Sequence, residues 1–171
     1  MNYILVVVDE YSRYSHVIPL KSKSGAAEMT CLLIERIRTQ IVYDKEVGVR
    51  RLHTDQGGEF SSSQLAQYLE WRGIVHTFTD TAQHESNGLV ERKIGVLNTS
   101  VRASLLQAAV PAFLWPEAYM CVNHAHNLTP STALEGVRRK EAKQKLEDRF
   151  VATSSEPWST NVQQRAKQLR V

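Results

Sequence analysis

Residues 2–8, NYILVVV, close on five consecutive aliphatic residues, three of them valine. A strand with one wet face alternates apolar and polar residues, whereas a continuous run marks a strand covered on both faces. The stretch therefore predicts a buried strand of an α/β protein. Working outward, the polar turn DEYSR leads to YSHVIPL at 14–20, a second strand, so that a hairpin opens the chain. Ser24 is placed to cap a helix running to about residue 41, with Ala27, Leu33, Ile34, Ile37 and Ile41 at helical spacing. VRRLHT at 49–54 reads as a short strand ending at Asp55. A helix over about 62–72 follows, with Gly73 at its C-terminal cap, and IVHTF at 74–78 is one more strand.

After the polar loop TDTAQHESNG comes a long helix with Leu89, Ile94, Leu97, Val101 and Leu105 along one side, stopped by Pro111. A last helix over 112–128 carries Leu114, Trp115, Ala118, Val122 and Ala125 inward, with Pro116 tolerated in its first turn. A hairpin followed by alternating helices and strands implies an α/β fold, a mixed sheet with helices packed on it. Beyond Gly136 the pattern deteriorates. VRRKEAKQKLEDRF suits an exposed, charge-paired helix and the remainder lacks periodicity, so 1–136 is read as one domain and 137–171 as a charged, partly disordered tail.

The 171 residues, 42% hydrophobic and 23% charged, are globular in composition and suit one core. No apolar run is long enough for a membrane span and the start carries no basic leader, so a soluble, intracellular protein is expected. Cys31 and Cys121 are isolated, which excludes a disulfide framework and a cysteine-based zinc site. Residues 1–136 hold twelve Lys and Arg against fourteen Asp and Glu, and 137–171 hold nine against four. Such a basic run more often means a solvated surface than a nucleic-acid stripe, and alone it identifies no partner.

Asp55 is expected at the C-terminal end of a strand, where open α/β sheets meet their ligands. The glycines after it allow a sharp turn. Thirty-five residues separate Asp55 from Glu91, which follows the pair Asn87-Gly88 on the first turns of the long helix. A strand end and a helix start can present two carboxylates to one point. Hard oxygen ligands are what Mg²⁺ requires, and a pair of such ions about 3.5 to 4 Å apart activates the attacking oxygen and stabilises the leaving one in phosphodiester chemistry. Other polar groups fit this chemistry less well. His53 and His76 flank strands and suit packing or hydrogen bonding, and His124 and His126, two apart on a helix, cannot face one ion.

The segments YILVVVDEYSRYSHVIPLKSKSGA, RLHTDQGGEF, GIVHTFTDTAQHESNGLVERKIG and FLWPEAYMCVNHAHNLTPSTAL resemble, in order and spacing, the integrase core of copia-type long-terminal-repeat retrotransposons over residues 2–136. The resemblance implies a ribonuclease H-like mixed sheet flanked by helices. It also implies DNA strand transfer dependent on Mg²⁺ or Mn²⁺, with Asp55 and Glu91 as the second and third members of the family's Asp, Asp, Glu triad. Asn87, Arg92 and Lys93 would contact DNA, both element ends and target, mostly through its backbone. A homodimer through core helices, no membrane, and a nuclear location are further implications.

The departures from the family pattern are specific. The strand bearing the family's first Asp would precede Met1, and Asp9 follows the run that resembles the family's second strand, so Asp9 is read as a turn acid. Ile94 stands where the family offers a polar residue, TAQHES replaces its Thr-Pro segment, and its histidine and cysteine zinc module is absent. The expectation is a core whose first strand is missing, with weakened metal binding and crippled catalysis. The rivals are a non-catalytic DNA-binding and dimerisation remnant and a non-folding pseudogene product.

Overall fold

The computed structural model describes residues 1–41, 48–79, 87–130 and 149–155. In chain order the elements are β1 (Tyr3–Asp9), β2 (Ser15–Leu20), α1 (Ala26–Ile41), β3 (Arg51–Thr54), α2 (Ser63–Arg72), β4 (Val75–Phe78), α3 (Asn87–Gln107), α4 (Trp115–Leu128) and β5 (Arg149–Ser155). The five strands form one mixed sheet in the order β2-β1-β5-β3-β4. β1 runs antiparallel to β2 and to β5, while β3 lies parallel to β5 and to β4.

The continuous aliphatic run of β1 has the predicted meaning, because its two sets of side chains serve two cores. Leu5 and Val7 point to the layer that holds Leu33, Ile34 and Ile37 of α1 and Leu65 and Leu69 of α2. Ile4, Val6 and Val8 point to the opposite layer, with Val90, Leu97, Val101 and Leu105 of α3 and Tyr119 of α4. Each such side chain, fully buried, contributes on the order of 1.5–3 kcal/mol. One heptapeptide thus ties both helical layers to the sheet.

The middle position of the sheet is filled from the other end of the chain. β5, with sequence RFVATSS, pairs with β1 from Ile4 opposite Ser155 to Asp9 opposite Phe150, and with β3 from Arg51 opposite Arg149 to Thr54 opposite Ala152. The segment expected to be a tail therefore contains the central strand, and a domain boundary at residue 136 would take the middle out of the sheet. Phe, Val and Thr favour extended backbone, but a strand set in charged and polar sequence shows no period of its own. The helix expected from residue 137 lies outside the described residues, apart from the two that belong to β5.

Local signals fare unequally. Ser62 accepts a hydrogen bond from the Leu65 N–H at 3.3 Å, and Gly73 closes α2 in the left-handed conformation with φ 67°. Ser24, by contrast, lies within a short 3-10 turn over Lys23–Gly25 that precedes α1, and its hydroxyl meets that of Ser22 at 2.8 Å. On α4 the fully buried residues are Pro116, Tyr119, Asn123 and Asn127, whereas Ala125 is exposed and Leu114, Trp115, Ala118 and Val122 are half-buried. The two asparagines face inward because both donate to the Ser15 carbonyl at 2.8 Å and accept from Ser15 in return, which pins edge strand β2 to the helix.

Candidate active site

Asp55 comes directly after the last residue of β3 and is half-buried. The end of that strand is fastened to β4 on both sides of the backbone. His53 lies 2.9 Å from Thr77 Oγ1 through Nδ1 and 3.1 Å from Thr79 Oγ1 through Nε2, and His76 Nε2 lies 2.9 Å from Thr54 Oγ1. Burial holds both imidazoles below their ordinary pKa, which favours their neutral forms. The Thr79 N–H donates to the Thr54 carbonyl at 2.9 Å, which extends the ladder past Asp55.

Past the strand the chain turns on its own atoms. Gly57 N–H donates to Asp55 Oδ1 at 3.2 Å, Phe60 N–H to the Gly57 carbonyl at 3.0 Å, and Ser61 N–H to the Gly58 carbonyl at 3.3 Å. Phe60, fully buried against the α1 and α2 layer, anchors the loop. Neither Gly57 nor Gly58 uses left-handed backbone. The need at Gly57 is space: a Cβ there would stand 2.9 Å from Asp55 Oδ1 and 2.8 Å from Glu59 Oε2. Two carboxylates therefore converge over a residue that has no side chain.

Glu91 is exposed near the start of α3, and its neighbour Val90 is buried with Ile4, Val6 and Val8, which docks that turn on β1. Asn87 begins the helix. Arg92 is exposed, with Nε donating to the Gly88 carbonyl at 2.8 Å, and Lys93 is half-buried. Ile94, in the place of a polar residue, packs at the edge of the α3 core. Among the described residues no three His, Cys, Asp or Glu side chains gather as a metal-holding group.

Asp9 occupies a different setting. It is 1% exposed, and Oδ2 accepts from the Ser12 N–H at 2.8 Å and from the Ser12 hydroxyl, while its backbone pairs with Arg13 and Tyr14 around the hairpin turn. Burial pushes its carboxyl above the usual carboxylate range, against the lowering effect of the Ser12 hydrogen bonds. Phe150 aligns with Asp9 on one side and with Leu52 on the other, so Asp9 lies level with Leu52, three residues short of Asp55. That is about 10 Å along the strands and about 9.5 Å across two of them, beyond the reach of one shared ion.

The residue that sequence reasoning overlooks is Glu59. It stands in the RLHTDQGGEF segment, four residues after Asp55, but only the folded loop shows both acids turned to the same point.

A mixed sheet between two helical layers, with an acid at the end of an inner parallel strand, places the chain with the ribonuclease H-like cores of retroviral integrases. The catalytic core domain of BIV integrase superposes with a TM-score of 0.60 at 20% identity, covering 81% of this chain and 84% of that one. The HTLV-2 integrase catalytic core domain, in a structure in complex with magnesium (trimeric form), gives a TM-score of 0.60 at 20% identity, covering 82% and 84%. More narrowly, residues 2–84 match the Integrase core domain family, and the chain is homologous to copia-type retrotransposon Pol polyproteins. It is 30% identical over 133 residues to the retrovirus-related Pol polyprotein from transposon RE2 of Arabidopsis thaliana, across 78% of this chain and 9% of that protein. The chain thus spans about a tenth of the length of the curated relatives it matches. No helix among the described residues is long and apolar enough to cross a membrane.

Proposed function

We propose that this chain is the core of a retrotransposon integrase in which Asp55 and Glu91 face one divalent-metal site, Mg²⁺ or Mn²⁺, and the start of α3 lies along DNA. The observation that carries the reading is the position of Asp55 at the end of an inner parallel strand, within the region matched by the Integrase core domain family. Side chains alternate across a strand, and Leu52 faces the α1 and α2 layer; continued to Asp55, the alternation turns its carboxylate toward the side that α3 covers. The donor set also fits a hard cation, since the carboxylates meeting over Gly57 offer oxygen alone.

In this reading Asp55 and Glu91 hold the cation, while Asn87, Arg92 and Lys93 position the DNA backbone. A bound cation would supply charge stabilisation to an in-line attack on a phosphodiester by water or a DNA 3′ hydroxyl. The strand beside β3, RFVATSS, brings no acid, so strand transfer is expected to be weak. Loss of charge stabilisation at such a centre costs on the order of a thousandfold in rate. Work on chromosomal DNA would place the protein in the nucleus.

A second reading has its own observation. Phe113 and Leu106 are 73% and 71% exposed where α3 gives way to α4, and Met120 and Leu128 on α4 are exposed as well. Such a surface suits a core that dimerises through its helices and binds DNA without cutting it.

Nicking and joining of labelled DNA duplexes with Mn²⁺ separates the two. The enzymatic reading predicts weak activity that Asp55→Asn and Glu91→Gln abolish. Activity indifferent to both substitutions overturns the metal assignment, and a DNA-binding dimer without activity selects the second reading.

A further inference from the structure

The end of β3 is held from the rim of the sheet. β4 is an edge strand, with Val75 and Phe78 exposed on it, and the end of such a strand opens readily because few buried contacts oppose it. The registered ladder between β3 and β4 stops at Thr54 and Phe78, one residue short of Asp55. A carboxylate that serves a cation has to keep its place to within about 0.5 Å, so something beyond the ladder must hold it.

Thr79, the residue after β4, supplies the hold. Its N–H donates to the Thr54 carbonyl at 2.9 Å, and its hydroxyl donates to the same oxygen at 3.3 Å. That oxygen lies in the peptide plane that ends in the Asp55 nitrogen and Cα, so holding it fixes the base from which the Asp55 side chain springs. A hydroxyl has one proton. With that proton on the carbonyl, Thr79 Oγ1 is left to accept from His53 Nε2, 3.1 Å away, while the other ring nitrogen of His53 meets Thr77 Oγ1 at 2.9 Å. On the far side of Asp55, Gln56 Nε2 donates to the Thr79 carbonyl at 3.3 Å. The N–H, hydroxyl and carbonyl of one residue are thus engaged with residues 53, 54 and 56, and Asp55 stands between them.

We propose that Thr79 is a positioning residue for Asp55, its hydroxyl setting the place from which the carboxylate meets a divalent cation. The inference rests on the metal site argued above and adds no ligand to it. Valine at residue 79 has a like shape, suits extended backbone at least as well and keeps the N–H, so the substitution removes the hydroxyl and little else. Support of the edge strand and placement of Asp55 can therefore be told apart.

The test is a Mn²⁺ titration of the whole chain, with the free ion read from its electron paramagnetic resonance signal and thermal melting followed in parallel. Thr79→Val is expected to weaken Mn²⁺ binding by about tenfold at a melting temperature close to that of the parent chain. Thr79→Ser, which keeps the hydroxyl, is expected to restore parental binding. If Asp55→Asn loses the ion while Thr79→Val binds as tightly as the parent, or if the serine variant is as weak as the valine one, the hydroxyl does not position Asp55 and the metal site stands without it. If the parent chain binds no Mn²⁺ at millimolar concentration, this proposal and the metal-dependent reading beneath it both fall.

Discussion

Two aspartates stand at the ends of two inner strands, and the molecule uses them differently. Asp9 closes β1 in the sequence VVVDEYS, and Asp55 succeeds β3 in LHTDQGG. After Asp9 comes a serine three residues on, whose N–H and hydroxyl both bond the carboxylate, and the acid is buried inside a hairpin turn. Close behind Asp55 come two glycines, so one oxygen orders the turn while the group stays half-buried, with Glu59 brought alongside. Residue type and position at a strand end do not distinguish an enclosed acid from a presented one. The next few residues do, by deciding whether the carboxylate is enclosed or presented.

The largest way to break this contrast is to remove the strand that lies between the two aspartates. Deleting residues 137–171 takes away β5 and leaves β1–β2 and β3–β4 without their shared neighbour, exposing backbone groups on both sides. The truncated chain is expected to lose cooperative unfolding by urea or heat. A sharp transition retained would show that the sheet does not need β5.

Next in size is the clamp on the hairpin half. Asn123→Ala takes one of two asparagine partners from the buried Ser15 hydroxyl and carbonyl, which keep Asn127, and should cost about 0.5–1.5 kcal/mol in chemical denaturation without altering Mn²⁺ affinity. A shift in metal binding would mean that the two halves are coupled.

Asp9 sharpens the contrast through pH. Its folded pKa is raised by burial, so the folded state holds a proton that the unfolded state has already released. Stability from this group is therefore fully present below the ordinary carboxylate pKa and is lost as pH rises through the elevated folded value. Asp9→Asn should flatten that part of the profile, read as unfolding free energy from about pH 3 upward. An unchanged slope would assign the pH dependence to other acids. The smallest effect on stability is expected at the other aspartate: Asp55→Asn keeps an acceptor for Gly57 and should change stability by less than about 1 kcal/mol while losing the metal.

Legibility in the sequence depends on whether a feature is made locally. The aliphatic run of β1, the Ser62 and Gly73 boundaries of α2 and the apolar stripe of α3 are written within a few residues, and each expectation agrees with the structure. β5 reads as tail because its stabilisation comes from β1 and β3, more than ninety residues away, and nothing within RFVATSS announces that pairing. The inward face of α4 is misjudged at Ala125 because burial of Asn123 and Asn127 is settled by Ser15, a partner more than a hundred residues distant. At the candidate site, Asp55 is visible by its strand-end position. Glu59 is not, since its approach to Asp55 depends on two successive turns and on the anchor at Phe60.

Central to the proposed function is that the end of β3 and the start of α3 share one cation. Paramagnetic broadening of backbone amide NMR signals during a Mn²⁺ titration measures this directly. The prediction is that amides of residues 55–59 and 88–93 broaden together, at the same Mn²⁺ concentration, and that Asp55→Asn abolishes both. Broadening confined to one of the two segments, or spread over acids elsewhere with neither preferred, would contradict it.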